Sequence, residues 1–228
     1  MALTVWRIAL HNEAWVGPLW PLLDHAEKAR ADRFRGADLR RRFVIAHGAV
    51  RLLLADACRQ PAATLRFVHN AWGKPALAES HAPVFNLSHA GDWALCTLAP
   101  SGDVGVDVES LRPSPVVERI DLARRFFSHD EYQALSSLEE PAFAPAFFRC
   151  WTRKEAYIKA KGLGLSLPLN QFSVTCRPGV PPALLTSAYC PADVGRYRLW
   201  DVAVPEGYFG SLAYDGPSEA FSCQDWVP

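Results

Sequence analysis

One succession of segments occurs twice in this chain of 228 residues: a helix that carries basic side chains, followed by apolar strands. The first copy spans residues 38–98 and the second spans residues 143–214. Over 38–58, apolar residues recur every three or four positions, which is typical of a helix with one buried face. The order helix, strands, helix, strands predicts an α+β fold in which helices pack on antiparallel sheets.

A connection of small and polar residues at 99–105 separates the two copies. We therefore expect an N-terminal half over residues 1–102 and a C-terminal half over residues 103–228. The alternating valines after residue 103 predict a strand at the start of the second half. Further helices are predicted at 116–126, 129–139 and 143–161, and the chain after residue 170 is predicted to be mainly strand.

Charge and composition disfavour several classes of protein. The chain has 24 lysine and arginine residues and 24 aspartate and glutamate residues, so its formal net charge is zero. A nucleic-acid partner is therefore not expected, and any anion site must be local. No apolar run reaches the roughly 18 residues of a membrane span, so no membrane partner is expected either. Six cysteines without C-x-x-C spacing indicate neither structural zinc nor a disulfide framework. We expect a reduced, cytoplasmic protein.

The strand segment GVDVE contains two carboxylates. Residues two apart on a strand point to the same face, so Asp107 and Glu109 share a face opposite Val106 and Val108. Clustered carboxylate oxygens suit Mg²⁺ if the face borders a cleft. The alternative is the polar face of an exposed antiparallel strand.

The helix in FFRCWTRKEAYIKAKGLGLSLPL aligns Trp151, Glu155 and Lys159 on one stripe. Glu155 is a candidate third metal ligand, and Lys159, one turn later, is a candidate for holding phosphate oxygens. Alternatively, Glu155 and Lys159 form an ordinary helix ion pair worth a few tenths of a kcal/mol.

A second helix start, FFSHDEYQALSSL, places Ser128 at the N-cap and Glu131 three residues later, as in a capping box. Capping is one interpretation of Glu131. The other is a carboxylate base that accepts a proton from a hydroxyl nucleophile.

Two loop-edge segments, WGKPAL and FNLSHA, supply Lys74, Ser88 and His89. Adjacent strand residues face opposite ways and no G-x-S-x-G elbow is present, so a serine hydrolase is not indicated. Contact with an anion is the functional interpretation of these residues. A hydrogen-bonded structural histidine is the alternative for His89.

The motifs of this chain, taken in order, resemble those of the 4′-phosphopantetheinyl transferases of the larger, surfactin-synthetase-activating (Sfp) type. The motifs are GKP, FNLSHAGDW, GVDVE, FFSHDEY and WTRKEAYIKAKGLGLSLPL. The resemblance covers about residues 40–175. It implies a pseudo-dimer of two similar α+β halves with the site in the cleft between them. It also implies Mg²⁺-dependent transfer of the phosphopantetheine arm of coenzyme A to a serine of an apo carrier protein, with release of adenosine 3′,5′-bisphosphate.

The resemblance implies roles for individual residues. Asp107, Glu109 and Glu155 resemble the Mg²⁺ ligands, Glu131 the base, and Lys159 the lysine beside the transferred phosphate. Coenzyme A contacts are expected from Lys74, Ser88, His89 and, at the nucleotide end, Arg42, with Lys28 and Arg33 as candidate 3′-phosphate contacts.

The resemblance implies partners that are apo acyl or peptidyl carrier proteins or carrier domains, as in nonribosomal peptide and polyketide synthesis. It implies that the enzyme is a holo-[acyl-carrier-protein] synthase and that it acts as a monomer. The nucleophile comes from the partner, so the chain itself requires no catalytic serine. The alternative is a catalytically silent module that binds coenzyme A or a carrier protein without turnover.

Overall fold

The computed structural model describes residues 1–79, 82–111 and 116–228, with Leu165 described by its backbone alone. The described residues form an α+β structure, which confirms the predicted fold class. The strands are β1 (Thr4–Ala9), β2 (Phe67–His69), β3 (Pro75–Leu77), β4 (Val84–Ala90), β5 (Trp93–Ala99), β6 (Asp103–Ser110), β7 (Phe172–Val174), β8 (Leu184–Ser187), β9 (Arg198–Val202), β10 (Tyr208–Asp215) and β11 (Ser222–Trp226). The helices are α1 (Val16–Leu19), α2 (His25–Asp32), α3 (Ala37–Cys58), α4 (Val116–Phe126), α5 (His129–Ser136) and α6 (Phe143–Lys161).

The helices follow the predicted positions closely. The helix predicted at 129–139 ends at Ser136. Beyond it, the N–H of Leu138 bonds to the carbonyl of Leu135, three residues back, which tightens the last turn. Within the described residues, none of the helices is long and apolar enough to cross a membrane.

A four-stranded sheet in the order β11-β1-β5-β4 carries α3 on one face. β4 and β5 form a hairpin, whose turn contains Gly91 with φ of 54°. β11 pairs in parallel with β1, so the sheet contains residues from both sides of the predicted boundary at residue 102. That boundary stays a prediction.

A three-stranded antiparallel sheet, β6-β10-β9, packs against α6. Gly105 of β6 faces the helix, and a Cβ atom at this position would collide with the carbonyl of Ala156 and the backbone nitrogen of Ala160. Only glycine therefore allows this close approach of strand and helix. The two helix-on-sheet units agree with the pseudo-dimer that the resemblance implies.

The two sheets pack against each other over an apolar core that includes Val5, Leu95, Val106 and Leu212, each at most 1% exposed. β4 and β6 meet at the edge of this core through a side chain: Oδ1 of Asn86 accepts the N–H of Val106 at 2.9 Å. This contact sets the last residues of β4 beside the carboxylate face of β6.

Candidate active site

Three polar side chains from three elements converge where β4 meets β6. The ammonium Nζ of Lys159, on α6, lies 2.6 Å from Oδ1 of Asp107 on β6 and 2.7 Å from Oγ of Ser88 on β4. The Ser88 hydroxyl donates to the same Oδ1 of Asp107 at 2.8 Å. Asp107 is 3% exposed, whereas the Lys159 side chain keeps partial access to solvent. The structure thus unites residues from both halves around a buried carboxylate.

The second oxygen of Asp107 is left unpaired in this cluster. Oδ2 is buried and has no hydrogen-bond partner among the described residues. Burial and the neighbouring Asp107 carboxylate raise the pKa of Glu155, and Lys159 offsets part of this effect. Two carboxylates thus lie close together around a single ammonium. A hard divalent cation with oxygen ligands fits such a site.

Glu109 lies two residues along the same strand, half-buried and opposite Phe209 of β10. Among the described residues, no three histidine, cysteine, aspartate or glutamate side chains are grouped as metal ligands. The structure therefore brings Asp107 and Glu155 together without placing Glu109 in a three-carboxylate group. The predicted set of three Mg²⁺ ligands stays a prediction.

Glu131 lies apart from this cluster, in the core between α5, α6 and β7. Its carboxylate caps α5 by accepting the N–H of Ser128 at 2.9 Å, while the Ser128 hydroxyl accepts the N–H of Glu131. The same carboxylate accepts the N–H of Val174 at 2.7 Å and binds the ammonium of Lys154 at 2.6 and 2.8 Å. Capping is thus the role that the contacts describe. A role as base stays a prediction.

The Lys74 side chain lies between β6 and the C-terminal end of α6. Its ammonium donates to the carbonyls of Val104 and Ala160 at 3.0 and 2.9 Å. Burial lowers the pKa of Lys74 to about 8, an effect that Asp103 partly offsets. Nearby, the amide of Asn70 donates to the carbonyl of Gly162 at 2.7 Å, so the GKP turn caps the C-terminal end of α6. The predicted coenzyme A contact of Lys74 is untested.

His89, on β4, and Arg42, on α3, are the remaining predicted coenzyme A contacts, and these contacts stay predictions. Burial and the neighbouring side chains of His47, Lys159, Arg30 and Arg42 lower the pKa of His89. Arg42 itself is held by the Asp92 carboxylate, with its NH2 2.9 Å from Oδ1. Arg30, Arg42 and Lys159 place positive charge near one imidazole, which favours anions in this region.

A pocket of about 570 Å³ opens beside these residues, between α2, α3 and the edge of β4. Its basic lining residues are Arg30 and Arg33 of the α2 segment and His47 of α3. Its two acidic lining residues, Asp24 and Glu27, each form an ion pair with Arg51.

Arg33 is a predicted 3′-phosphate contact. Lys28 is the other predicted 3′-phosphate contact, and it does not line the pocket. Its ammonium lies 5.9 Å from the ring centroid of Trp20.

Several residues of the site were missed by the sequence reasoning. Asn86 interrupts an apolar strand with an amide at a buried position, which is a signal for a bridging hydrogen bond. His47 interrupts the apolar stripe of α3 in the same way. Arg30 has no comparable signal, because its position in the pocket depends on how α2 packs against α3.

Comparisons with known proteins identify the family of this chain. Residues 103–208 match the model of the 4′-phosphopantetheinyl transferase superfamily. The chain is 37% identical to the 4′-phosphopantetheinyl transferase HetI of Nostoc sp. strain PCC 7120, over 80% of this chain and 78% of that protein. It is 32% identical to the 4′-phosphopantetheinyl transferase Sfp of Bacillus subtilis strain 168, over 82% and 80% of the two chains. It is 34% identical to the 4′-phosphopantetheinyl transferase psf-1 of Bacillus pumilus, over 79% and 76%. This identity over most of both chains shows that the protein belongs to the 4′-phosphopantetheinyl transferase superfamily.

Proposed function

We propose that this protein transfers the phosphopantetheine arm of coenzyme A to a serine of an apo acyl or peptidyl carrier protein, in a Mg²⁺-dependent reaction that releases adenosine 3′,5′-bisphosphate. The observation that carries the proposal is the cluster of Lys159, Asp107 and Ser88, which lies beside the cationic pocket. A carboxylate cluster for a divalent cation and a basic pocket for a nucleotide are the two parts that this reaction needs.

The cationic pocket supports a position for the nucleotide end of coenzyme A. Arg30 and Arg33 offer guanidinium groups, which bind phosphate oxygens through charge-assisted hydrogen bonds. Burial, together with charges that include Arg30 of the pocket and Lys159 of the cluster, lowers the pKa of His89. A substrate that runs from the pocket to Lys159 therefore meets positive charge along its phosphates.

Different residues of the cluster would bind the metal ion and the phosphate oxygens at the pyrophosphate. Asp107 and Glu155, with Glu109 as the third expected ligand, would hold Mg²⁺, which when bound neutralises charge on the phosphate oxygens and on the leaving group. Lys159 would hold a phosphate oxygen with its ammonium and steady the leaving phosphate. Ser88 keeps the Lys159 ammonium in position through their 2.7 Å hydrogen bond.

The partner's serine oxygen forms the new bond to phosphorus, and the bond from that phosphorus to the nucleotide phosphate breaks. The serine proton leaves to a base, which the family resemblance assigns to Glu131. Both oxygens of Glu131 already accept hydrogen bonds from Lys154 and backbone groups, so the geometry gives this assignment no independent support. Action as a cytoplasmic monomer is likewise part of the proposal.

Intact-protein mass spectrometry tests the proposal. The protein is mixed with coenzyme A, Mg²⁺ and a panel of apo carrier proteins, with EDTA in parallel reactions. We expect a carrier to gain the mass of one phosphopantetheine arm with Mg²⁺ and to stay unmodified with EDTA. Asp107→Ala and Glu155→Ala should remove the mass gain while the protein stays folded. Full transfer by either variant would refute the metal assignment. Coenzyme A binding without modification of any carrier would favour the silent binding module.

A further inference from the structure

Two of the six cysteines meet in the apolar core that packs against α6. Cys150 lies on α6, and Cys176 lies two residues after the end of β7. They are 0% and 6% exposed and belong to the same hydrophobic cluster. The thiol of Cys150 is hydrogen-bonded to that of Cys176. Within the described part of the chain, none of the other four cysteines is hydrogen-bonded to a second thiol.

The strand end that carries Cys176 is fixed on α6 by two hydrogen bonds. Arg153 donates to the carbonyl of Thr175, directly before Cys176, at 2.5 Å. Lys154 donates to the carbonyl of Phe172, at the start of β7, at 2.6 Å. Both donor residues are at most 2% exposed, and a hydrogen bond is stronger in such a dry environment than in water. The two sulfurs therefore face each other in the folded protein and need no large movement to meet.

The two thiols differ in reactivity. The hydrogen bond from Cys150 lowers the pKa of Cys176, and Arg153 and Arg177 act in the same direction against the effect of burial. Burial raises the pKa of Cys150 well above its ordinary value. The exposed segment 177–180 follows Cys176 directly, whereas Cys150 has no exposed surface. Because the thiolate is the nucleophile, Cys176 is the thiol that an oxidant meets first, with Cys150 behind it.

We propose that Cys150 and Cys176 form a reversible oxidation site, at which hydrogen peroxide converts the two thiols into a disulfide that links α6 to the end of β7. The Cys176 thiolate attacks one peroxide oxygen, the O–O bond breaks, and the other oxygen leaves as water with the proton that Cys176 had released. The Cys150 sulfur then attacks the sulfur of the resulting sulfenic acid, the S–O bond breaks, and the hydroxyl leaves as water with the Cys150 proton. The two thiols lose two electrons in total, and one peroxide becomes two water molecules.

The disulfide would lie beside the buried ion pair of Glu131 and Lys154. The charge of Glu131 raises the pKa of both thiols, so its carboxylate lies near them, and Lys154 follows Cys150 by one helical turn. An S–S bond is about 2.05 Å long, shorter than the contact between two thiols, so its formation draws α6 and the strand end together. Oxidation thus adds a covalent link to a junction that the reduced protein holds by noncovalent contacts. A dithiol reductant reverses it by thiol–disulfide exchange.

The experiment counts and maps the thiols of the full-length protein. The reduced protein is treated with an equimolar amount of hydrogen peroxide under native conditions, then unfolded and alkylated with N-ethylmaleimide. We expect the intact mass to show six alkylated thiols before oxidation, four after oxidation, and six again after dithiothreitol. Fragmentation of the linked peptides should place the bond between Cys150 and Cys176.

Three variants test the roles of the two thiols. Cys150→Ala should abolish the disulfide and leave Cys176 as a sulfenic acid, which dimedone traps. Cys176→Ala should abolish the disulfide, and dimedone should label Cys150 in this variant about tenfold less than it labels Cys176 in Cys150→Ala. Cys223→Ala is the matched control, since Cys223 is partly exposed and its thiol contacts the carbonyl of Ala203. This control should form the disulfide at the wild-type rate.

Three results would overturn the inference. They are alkylation of all six thiols after oxidation, a bond between a different pair of cysteines in place of this one, and loss of two thiols to the same extent in Cys150→Ala. Because oxidation of the wild-type protein is mapped directly, the test does not depend on the folding of the variants. It uses neither coenzyme A nor a carrier protein, so its failure leaves the proposed function untouched.

Discussion

Lys159 forms its ion pair with Asp107 of β6, at 2.6 Å, and not with Glu155, the residue one turn earlier on its own helix. The spacing of Glu155 and Lys159 allowed an ordinary helix ion pair. In the fold, Lys159 instead joins α6 to the first strand of the second sheet, and Glu155 remains beside Asp107 as a second carboxylate. This arrangement leaves an excess of negative charge at the point where a cation and a phosphate would meet.

Lys159→Ala should lower kcat for carrier modification by about 100-fold or more, because a positioned cation at a developing negative charge acts mainly on the transition state. The measurement is the rate of mass gain of a carrier at saturating coenzyme A, with thermal unfolding recorded in parallel. Arg40→Ala is the control, since Arg40 forms an exposed ion pair with Asp32. A kcat close to that of the wild-type protein would contradict this prediction and would indicate that Lys159 has a structural role.

The buried pair of Glu131 and Lys154 should contribute strongly to stability. Their side chains are 2% and 0% exposed, so Glu131→Gln leaves a buried ammonium without its counter-charge. We expect the free energy of unfolding in urea to fall by about 3 kcal/mol or more. Adding Lys154→Met should restore part of that loss, since the double variant no longer buries a lone charge.

The exposed pair of Arg124 and Asp121 on α4 is a matched control for this double-mutant cycle, with side chains 67% and 55% exposed. Its coupling energy should stay below about 1 kcal/mol. A coupling energy as small for Glu131 and Lys154 would contradict the prediction. If Glu131→Gln also stops transfer while the protein is still folded, the role of Glu131 as base gains support.

Lys74 should make stability depend on alkaline pH. Its pKa is about 8 in the folded protein, compared with an ordinary value of 10.5. Between these values the unfolded chain binds the proton more tightly, so the free energy of unfolding rises with pH across this window and the gain is lost as pH falls through 8. From pH 8 to 10.5, the free energy of unfolding of the wild-type protein should rise by up to about 3 kcal/mol relative to that of Lys74→Met. A constant difference between the two proteins would mean that Lys74 stays charged.

Gly105→Ala should destabilise the protein by about 3 kcal/mol, because the added methyl group meets the backbone of α6 and neither element can move without disturbing the core. Gly17→Ala is the control, since a Cβ at Gly17 in α1 has no atom within 4 Å. That variant should unfold within about 1 kcal/mol of the wild-type protein, as expected from helix propensity. Equal stability of both variants would show that β6 and α6 separate easily.

Local patterns predicted the elements that carry the site. The alternation of Val104, Val106 and Val108 predicted a strand, and these valines are buried in the core between the sheets. The same alternation put Asp107 on the opposite face, towards α6. The longer helices were predicted by their periodicity, because a buried stripe every three or four residues is a local property of the chain.

Side-chain partners were harder to predict. Lys74 was predicted to contact an anion, yet its ammonium donates to the carbonyls of Val104 and Ala160. Glu131 allowed two interpretations, and its burial against Lys154 could not be read from the capping pattern alone. The pocket around His47 depends on the packing of α2 on α3, and no short sequence motif predicts that packing.

The sequence by itself determined the periodic elements, the face of β6 that bears carboxylates, and the order of motifs that indicated the family. Only the tertiary structure decided that Ser88, Asp107 and Lys159 meet, since 19 residues separate the first two and 52 residues separate the last two. The reason is physical. A residue's face is set by the repeat of its own helix or strand, whereas its partner is set by the packing of distant segments into one core.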